Sequence, residues 1–168
     1  MDVDELIRSR RTHKVYRSDP VARETLDELF DLARYAPNHH LTNPWRFRVI
    51  GPAALQRLKD ADAKGAPKLD RAPTLVVVSS VRSDDPEQDE EDRAATAAAA
   101  YIVLLAAHAR GIASYWRTPF VLRMREGRAA LGIGDDEHVL GMLHLGYGER
   151  EPMTPERRPA GDVVSYLD

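Results

Sequence analysis

The sequence predicts an α+β domain, with several helices arranged around a small sheet. Two observations carry this expectation. Helix-period apolar patterns recur along the chain, and short β-branched or alternating runs fall between them. No repeat interrupts the order, and the only biased tract is the alanine-rich stretch 94–100. With 168 residues, 43% of them hydrophobic, residues 1–168 read as a single domain with material for a real core.

The elements follow in order. Val3 to Arg10 carries a short helical pattern, with Val3, Leu6 and Ile7 on one side. A basic cluster of Arg8, Arg10, Arg11, Lys14 and Arg17 comes next, and Asp19-Pro20 marks a boundary. Ala22 to Tyr35 reads as a strong helix on the spacing of Leu26, Leu29, Phe30, Leu32 and Ala33, and Pro37 stops it. Phe47 to Ile50 is a strand ended by Gly51-Pro52, and Ala53 to Lys64 a helix with Leu55 and Leu58 inward. Thr74 to Val81 is a buried strand.

An acidic loop over Ser83 to Asp92 runs into a helix from about Asp92 to Arg110, which Gly111 stops. Ala94, Ala98, Tyr101, Leu105 and His108 line one face of it, and Ile102, Val103 and Leu104 widen the apolar surface. Ser114 to Thr118 begins a loop, Val121 to Leu131 is a short helix, and His138 to Leu145 is the last strand. The tail from Glu151 holds three prolines yet ends on the apolar run Val163-Val164-Ser165-Tyr166-Leu167. Residues 152–168 are therefore expected to pack on a partner subunit.

Composition excludes several function classes. A net charge of -3 gives no global attraction to nucleic acid or acidic membranes. The absence of cysteine removes disulfides, thiolate catalysis and cysteine-based metal sites. The acidic start Asp2-Val3-Asp4-Glu5 argues against a signal peptide, and no apolar run approaches the ~20 residues of a membrane span. A cytoplasmic protein is expected.

Three constellations stand out. Arg10-Arg11-Thr12 offers two guanidiniums and a hydroxyl, which suit a phosphate, or else form a solvated basic helix end. The loop Ala36-Pro37-Asn38-His39-His40-Leu41-Thr42-Asn43-Pro44-Trp45-Arg46-Phe47 is more polar than a simple connection requires. Adjacent histidines rarely converge on one ion and zinc needs three or four ligands, so no metal site is expected there. Trp116-Arg117-Thr118 suits a planar or anionic ligand, or is a packed tryptophan beside a surface arginine. Walker A, Gly-x-Ser-x-Gly and His-Glu-x-x-His motifs are absent, and the paired glycines at 132/134 and 146/148 are turns.

Taken in order, these segments resemble the FMN-dependent nitroreductase family. Arg10-Arg11-Thr12 resembles its Arg-Arg-Ser phosphate motif, and the 36–47 loop resembles Ala-Pro-Ser-x-x-Asn-x-Gln-Pro-Trp-x-Phe. Leu104 to Ser114 is similar to the Leu-x-Ala-x-x-x-Gly-Leu-Gly stretch, and Val139 to Tyr147 with Arg158-Pro159 completes the match. Ala-Pro-Asn-His and Trp116-Arg117-Thr118 resemble a short, minimal subgroup.

The resemblance implies a nitroreductase-like fold, with a small mixed central sheet surrounded by helices in an interwoven homodimer. It implies one FMN at each of two interfacial sites and NADH or NADPH as hydride donor. A small-molecule electron acceptor such as a nitroaromatic or a quinone would complete the turnover. The flavin carries the chemistry, so no catalytic side chain is implied. Arg10, Arg11 and Thr12 would hold the phosphate, with Arg117 or Arg158 adding charge. Trp116 and Thr118 would complete the ring pocket, Asn43 would lie near polar atoms of the flavin, and Tyr35 and His39 would reach it from the partner. Leu41 and Asn43 depart from the family's asparagine and glutamine, which implies rearranged hydrogen bonding to the ring. Alternative readings are a non-catalytic flavin-binding dimer, or a specialised member performing dehalogenation, flavin cleavage or enal reduction.

Overall fold

A computed structural model describes residues 2–167, leaving Met1 and the last residue of the expected tail, Asp168, outside the description. Among the described residues, nine α-helices and strands form, besides short 3-10 turns, in the order α1 (Val3–Ser9), α2 (Arg23–Ala33), β1 (Trp45–Val49), α3 (Pro52–Ala61), β2 (Thr74–Val81), α4 (Pro86–Ala109), β3 (Ala113–Arg117), α5 (Arg125–Ala130) and β4 (Glu137–Gly146). The strands make one sheet in the order β1-β2-β4-β3. Every strand pairing is antiparallel, where a mixed sheet was expected. β2 and β3 do run the same way, but β4 returns between them, and the parallel pairing that remains is the isolated bridge Thr12–Ser114.

The sheet is covered on both faces, which is why β2 is buried along nearly its whole length and reads as an unbroken apolar run. Val76, Val78, Leu143 and Leu145 point toward α2 and α4, where they meet Leu26, Leu29, Ala99, Val103 and Ala107. Leu75, Val77 and Met142 point the other way, onto Leu58 of α3 and onto Val121, Leu122 and Ile133. Strand alternation alone sorts the two cores.

α4 is longer than expected, starting at Pro86 rather than near Asp92. Asp85 caps it by accepting from the Glu87 N–H (3.0 Å), proline occupies the first turn, and Glu87 and Asp89 complement the helix dipole. The acidic stretch is thus helix, although its solvent-facing turns carry no apolar period. The face against the core is also not the expected one. Ala95, Ala99, Val103 and Ala106, with Thr96, Ala100, Leu104 and Ala107, are buried. Of the expected face, Ala94 and Tyr101 are exposed, Tyr101 with 38% of its surface, Leu105 and His108 are half-buried, and Ala98 is half-buried against the core.

Residues from Ser114 belong to strand β3, not to a loop, because pairing from Ala113–Gly146 to Arg117–Met142 satisfies their backbone. Five residues are too few to show a period in sequence. The expected 121–131 helix divides into a 3-10 turn, Phe120–Arg123, and α5. Gly127 packs so tightly on the Val121 carbonyl that a side chain there would collide with it. The tail holds a single 3-10 turn, Ala160–Asp162, and Val163, Tyr166 and Leu167 are at least 75% exposed.

One polar clip ties three strands. Arg48 on β1 donates twice to Glu137 on β4 (2.6 and 2.8 Å) and once to Ser79 on β2 (2.9 Å), and the Ser79 hydroxyl also donates to Glu137. Burial opposes ionisation of Glu137, but the Arg48 guanidinium and the Ser79 hydroxyl outweigh it and hold the carboxyl below its usual range. Glu137→Ala strands the guanidinium and should cost about 2–3 kcal/mol in urea unfolding at pH 7. A carboxyl with a lowered folded pKa stabilises above its unfolded pKa, so the difference from wild type should shrink as pH falls through the acid range. A pH-independent difference would contradict the ion pair.

Candidate functional site

The first cluster forms where α1 ends. Asp2 caps the helix by accepting from the Glu5 N–H (2.8 Å), and at Arg10 the chain turns extended to run beside β3. There the His13 N–H donates to the Ser114 carbonyl (3.0 Å). The Arg11 guanidinium folds back onto the carbonyls of Arg8 and Arg10, satisfying helix-end acceptors. Arg10 Nε is buried without a partner. A cavity of about 560 Å³ opens beside it, lined by Arg10, Arg11, Thr12, Lys14, Arg150 and Arg157 among others. Arg158 does not line it; its neighbour Arg157 does.

The surplus of positive charge is felt nearby. His108 of α4 meets the Ser9 hydroxyl at 2.8 Å, and its pKa is pushed down by burial first, then by Arg10 and Arg11. His13 is likewise lowered, by burial against the opposing pull of Glu151, with His108 and Arg10 adding to the effect. A basic cavity with an orphaned guanidinium N–H is chemically an anion site.

The second cluster lies farther along β3. Successive strand residues point to opposite faces, so Trp116 packs on the α2/α4 side and Arg117 on the other. A bulge in β4 fixes them. Gly141 sits at φ 148°, the register shifts between Val78 and Ser79, and the Leu140 carbonyl is thrown outward. That carbonyl accepts from Trp116 Nε1 (3.3 Å) and from the Thr118 hydroxyl (3.5 Å). Any side chain at Gly141 would strike the Trp116 indole, so the glycine is required by both its φ and this approach.

Arg117, instead of joining Arg10, borders a recess of about 280 Å³ with Lys64, Lys68 and the exposed ring of Phe120, and its Nη1 is buried without a partner. Thr12 is level with Ser114, so Arg117 lies three residues beyond, about 10 Å along the strand. The basic cavity and this recess therefore lie along one edge of the sheet.

Behind Arg117 sits His144, fully buried with neither ring nitrogen partnered and the Tyr115 ring 5.9 Å away. Burial, with Arg117 and Arg71 adding repulsion, pushes its pKa down to about 4. The imidazole is neutral at pH 7, and unfolding lets it take up a proton below its ordinary pKa of about 6.5. Stability should therefore fall as pH drops from about 6.5 toward 4, and His144→Leu should flatten that slope in melting temperatures measured across pH 4–7. Parallel slopes in the two proteins would contradict this.

The third cluster is the 36–47 loop. His39–Leu41 form a 3-10 turn, and His40, Leu41 and Asn43 all adopt positive φ (54°, 51° and 48°). Side chains over-determine this conformation. Asn38 accepts from the Asn43 N–H (2.8 Å) and donates to the Thr42 hydroxyl (2.9 Å), which donates to buried Asp92 of α4 (2.6 Å). The Asn43 amide donates to the Leu41 carbonyl (2.7 Å). His39 Nδ1 meets Glu91 at 2.5 Å, His40 Nδ1 meets Gln88 at 3.1 Å, and the two imidazoles stack with centroids 3.8 Å apart. Among the described residues, no three His, Cys, Asp or Glu side chains converge as a metal site. Tyr35 stands 70% exposed at the loop's base, beneath the Arg34 guanidinium.

The ten site residues expected from sequence thus divide. Arg10, Arg11 and Thr12 lie together, Trp116, Arg117 and Thr118 continue along the same edge, Tyr35, His39 and Asn43 lie elsewhere, and Arg158 is outside the lining of the basic cavity. Glu91 and His108, which mark the loop and the α1 end, are 17 residues apart on α4, about 25 Å. Lys14, Arg150 and Arg157 of the cavity, and Lys64 and Lys68 of the recess, are not among the expected residues. Arg157 beside Arg158 is the available signal; Lys64 and Lys68 have none, lying where the chain reads only as a break between elements.

This geometry has counterparts in known proteins. The family model described as the nitroreductase family matches residues 7–71 and 52–147. The chain is 27% identical to YfhC of Bacillus subtilis, provisionally named an NAD(P)H nitroreductase, over 97% of this chain and 93% of that one. Its fold is similar to that of a nitroreductase-like family protein from Bacillus cereus (TM-score 0.91, 23% identity, covering 100% and 97% of the two chains). It is also similar to the FMN and NADPH-dependent nitroreductase NfnB from Sphigopyxis sp. strain HMH (TM-score 0.83, 18% identity, 100% of both chains).

Proposed function

The chain belongs to the nitroreductase family, and on that premise we propose that it is an NAD(P)H-dependent oxidoreductase that works through bound FMN. The name of its Bacillus subtilis relative supports the nicotinamide donor, and NfnB supports the flavin. The observation that carries the reading is the orphaned Arg10 Nε in a basic cavity shared with Thr12, with a second unpartnered guanidinium, Arg117, about 10 Å along β3 from the level of Thr12. A phosphate and a polar ring joined by a ribityl chain match that spacing of donors.

Arg10, Arg11 and Thr12, joined by Arg150 and Arg157, would hold the phosphate. Arg117 and Lys68 would face the pyrimidine edge of the ring, where positive charge favours a reduced, anionic flavin. Trp116 and Thr118, fixed by the Leu140 carbonyl, would border the ring. Arg158 would add only long-range charge. When bound, FMN supplies the two-electron chemistry between the nicotinamide and an acceptor such as a quinone or nitroaromatic. The protein's part is to bind, orient and exclude water.

Tyr35, His39 and Asn43 are too far from Arg10 within one chain to share a flavin with it, so they serve the site of a second copy. A homodimer is supported by the exposed Tyr101 ring of α4, by the exposed apolar tail, and by a groove of about 580 Å³ beside edge strand β1. Val21, Leu26, Phe30, Phe47, Val49 and Ile50 line that groove, and residues 163–167 of a partner have the apolar character to fill it.

Spectral titration with FMN, followed by anaerobic addition of NADH or NADPH, tests the reading. Uptake of FMN and bleaching of its colour are expected, and Arg10→Ala should weaken FMN tenfold or more. A protein that takes up no FMN would overturn the proposal, and one that binds flavin without bleaching would be a binder only.

A further inference from the structure

We propose that His39 is a catalytic acid for the acceptor and that Glu91 is the residue that positions it. The inference rests on the reading in which the 36–47 loop borders a flavin. His39 Nδ1 is 2.5 Å from Glu91 Oε2, so the carboxylate accepts the Nδ1–H hydrogen bond and leaves Nε2 as the end of the ring that can exchange a proton with the acceptor. The arrangement is the carboxylate–imidazole pair that enzymes use to fix a tautomer and strengthen a proton-transfer group.

Every neighbour supports that orientation. His40 stacks on His39 and spends its own Nδ1 on Gln88 of α4. Asp92, the next carboxylate on α4, is occupied by the Thr42 hydroxyl and by Gln88 Nε2 (2.9 Å). Glu91 is thus the carboxylate left for His39. The left-handed residues, His40 and Leu41 within the turn and Asn43 after it, are held by Asn38, Thr42 and Asp92, so the imidazole is presented from a braced loop rather than a free one.

The chemistry needs such a group. A quinone that accepts a hydride, two electrons and one proton, becomes a hydroquinone monoanion, whose remaining oxyanion needs one more proton. The His39 imidazolium breaks its Nε2–H bond and the oxyanion forms the new O–H bond. The ring is left neutral, its remaining proton on Nδ1 against Glu91. Solvent then returns a proton to Nε2. The hydride comes from the nicotinamide by way of the reduced cofactor, so atoms and electrons balance without another reactant.

The test compares FMN-loaded wild type, Glu91→Gln and His39→Asn, each reduced anaerobically and mixed with 1,4-benzoquinone or with ferricyanide. Ferricyanide takes single electrons and needs no proton. The ratio of quinone rate to ferricyanide rate should fall about tenfold in Glu91→Gln and about a hundredfold in His39→Asn. Nitrogen NMR of the His39 ring, in the protein without FMN, should report the Nδ1–H form in wild type and loss of that preference in Glu91→Gln. An unchanged rate ratio, equal slowing by both oxidants, or an unaltered tautomer would overturn the proposal. Failure of wild type to take up FMN would instead sink the flavin reading on which it rests.

Discussion

Helix α4 is the constraint on which the rest of the structure depends. Its inner face is small where it must be: Ala99, Ala100, Ala106 and Ala107 let it lie close against α2 and the β2–β4 pair. Bulkier side chains at these positions would push the helix off the sheet, with costs of about 1–3 kcal/mol each for overpacking. One end of the helix receives α1 through the Ser9–His108 contact, and the other receives the 36–47 loop through Gln88, Glu91 and Asp92. A rigid rod therefore sets the distance between the two halves of the candidate site. No side-chain rearrangement in a single chain closes a gap of about 25 Å.

That separation turns a local observation into a statement about assembly. On the proposed reading, the half that carries the basic cavity and the half that carries His39 would each be incomplete. The first has guanidinium donors without acceptors, and the second has a braced imidazole pair open to solvent. Two copies related by a two-fold axis would supply each half to the other, since an isologous contact repeats every pairing. On the proposed reading, the exposed Tyr101 ring of α4 would lie in such a contact. NAD(P)H-dependent oxidoreduction then needs no nucleophile from the chain, which agrees with a site whose polar groups are donors and positioners.

Much of the architecture is legible in the amino-acid sequence because it rests on local periodicity. β2 has both its ends at the expected residues, and α2 and α3 lie within a few residues of theirs, since their apolar positions are dense and their breakers clear. What escapes a sequence reading has a common cause. β3 is strand because β4 lies beside it, the first turns of α4 are helix because Asp85 caps them, and the bulge at Gly141 exists because Trp116 must pass close by. Each is decided by a partner distant in sequence or by a single capping bond, neither of which a period reveals. The same holds for the site. Arg10, Arg11 and Thr12 form a contiguous motif, whereas Lys64 and Lys68 reach Arg117 only through the fold.

The candidate site is either shared between two subunits or built within one chain, and mixed dimers measure which directly. Arg10→Ala and His39→Ala chains, differently tagged and purified as the heterodimer, would be titrated with FMN. A composite site places both lesions in one pocket and none in the other. The heterodimer should then bind one FMN per two chains with wild-type affinity, although neither variant homodimer does. If each site were built within one chain, both pockets of the heterodimer would carry a lesion. The absence of any wild-type-affinity site would contradict a site composed by two subunits.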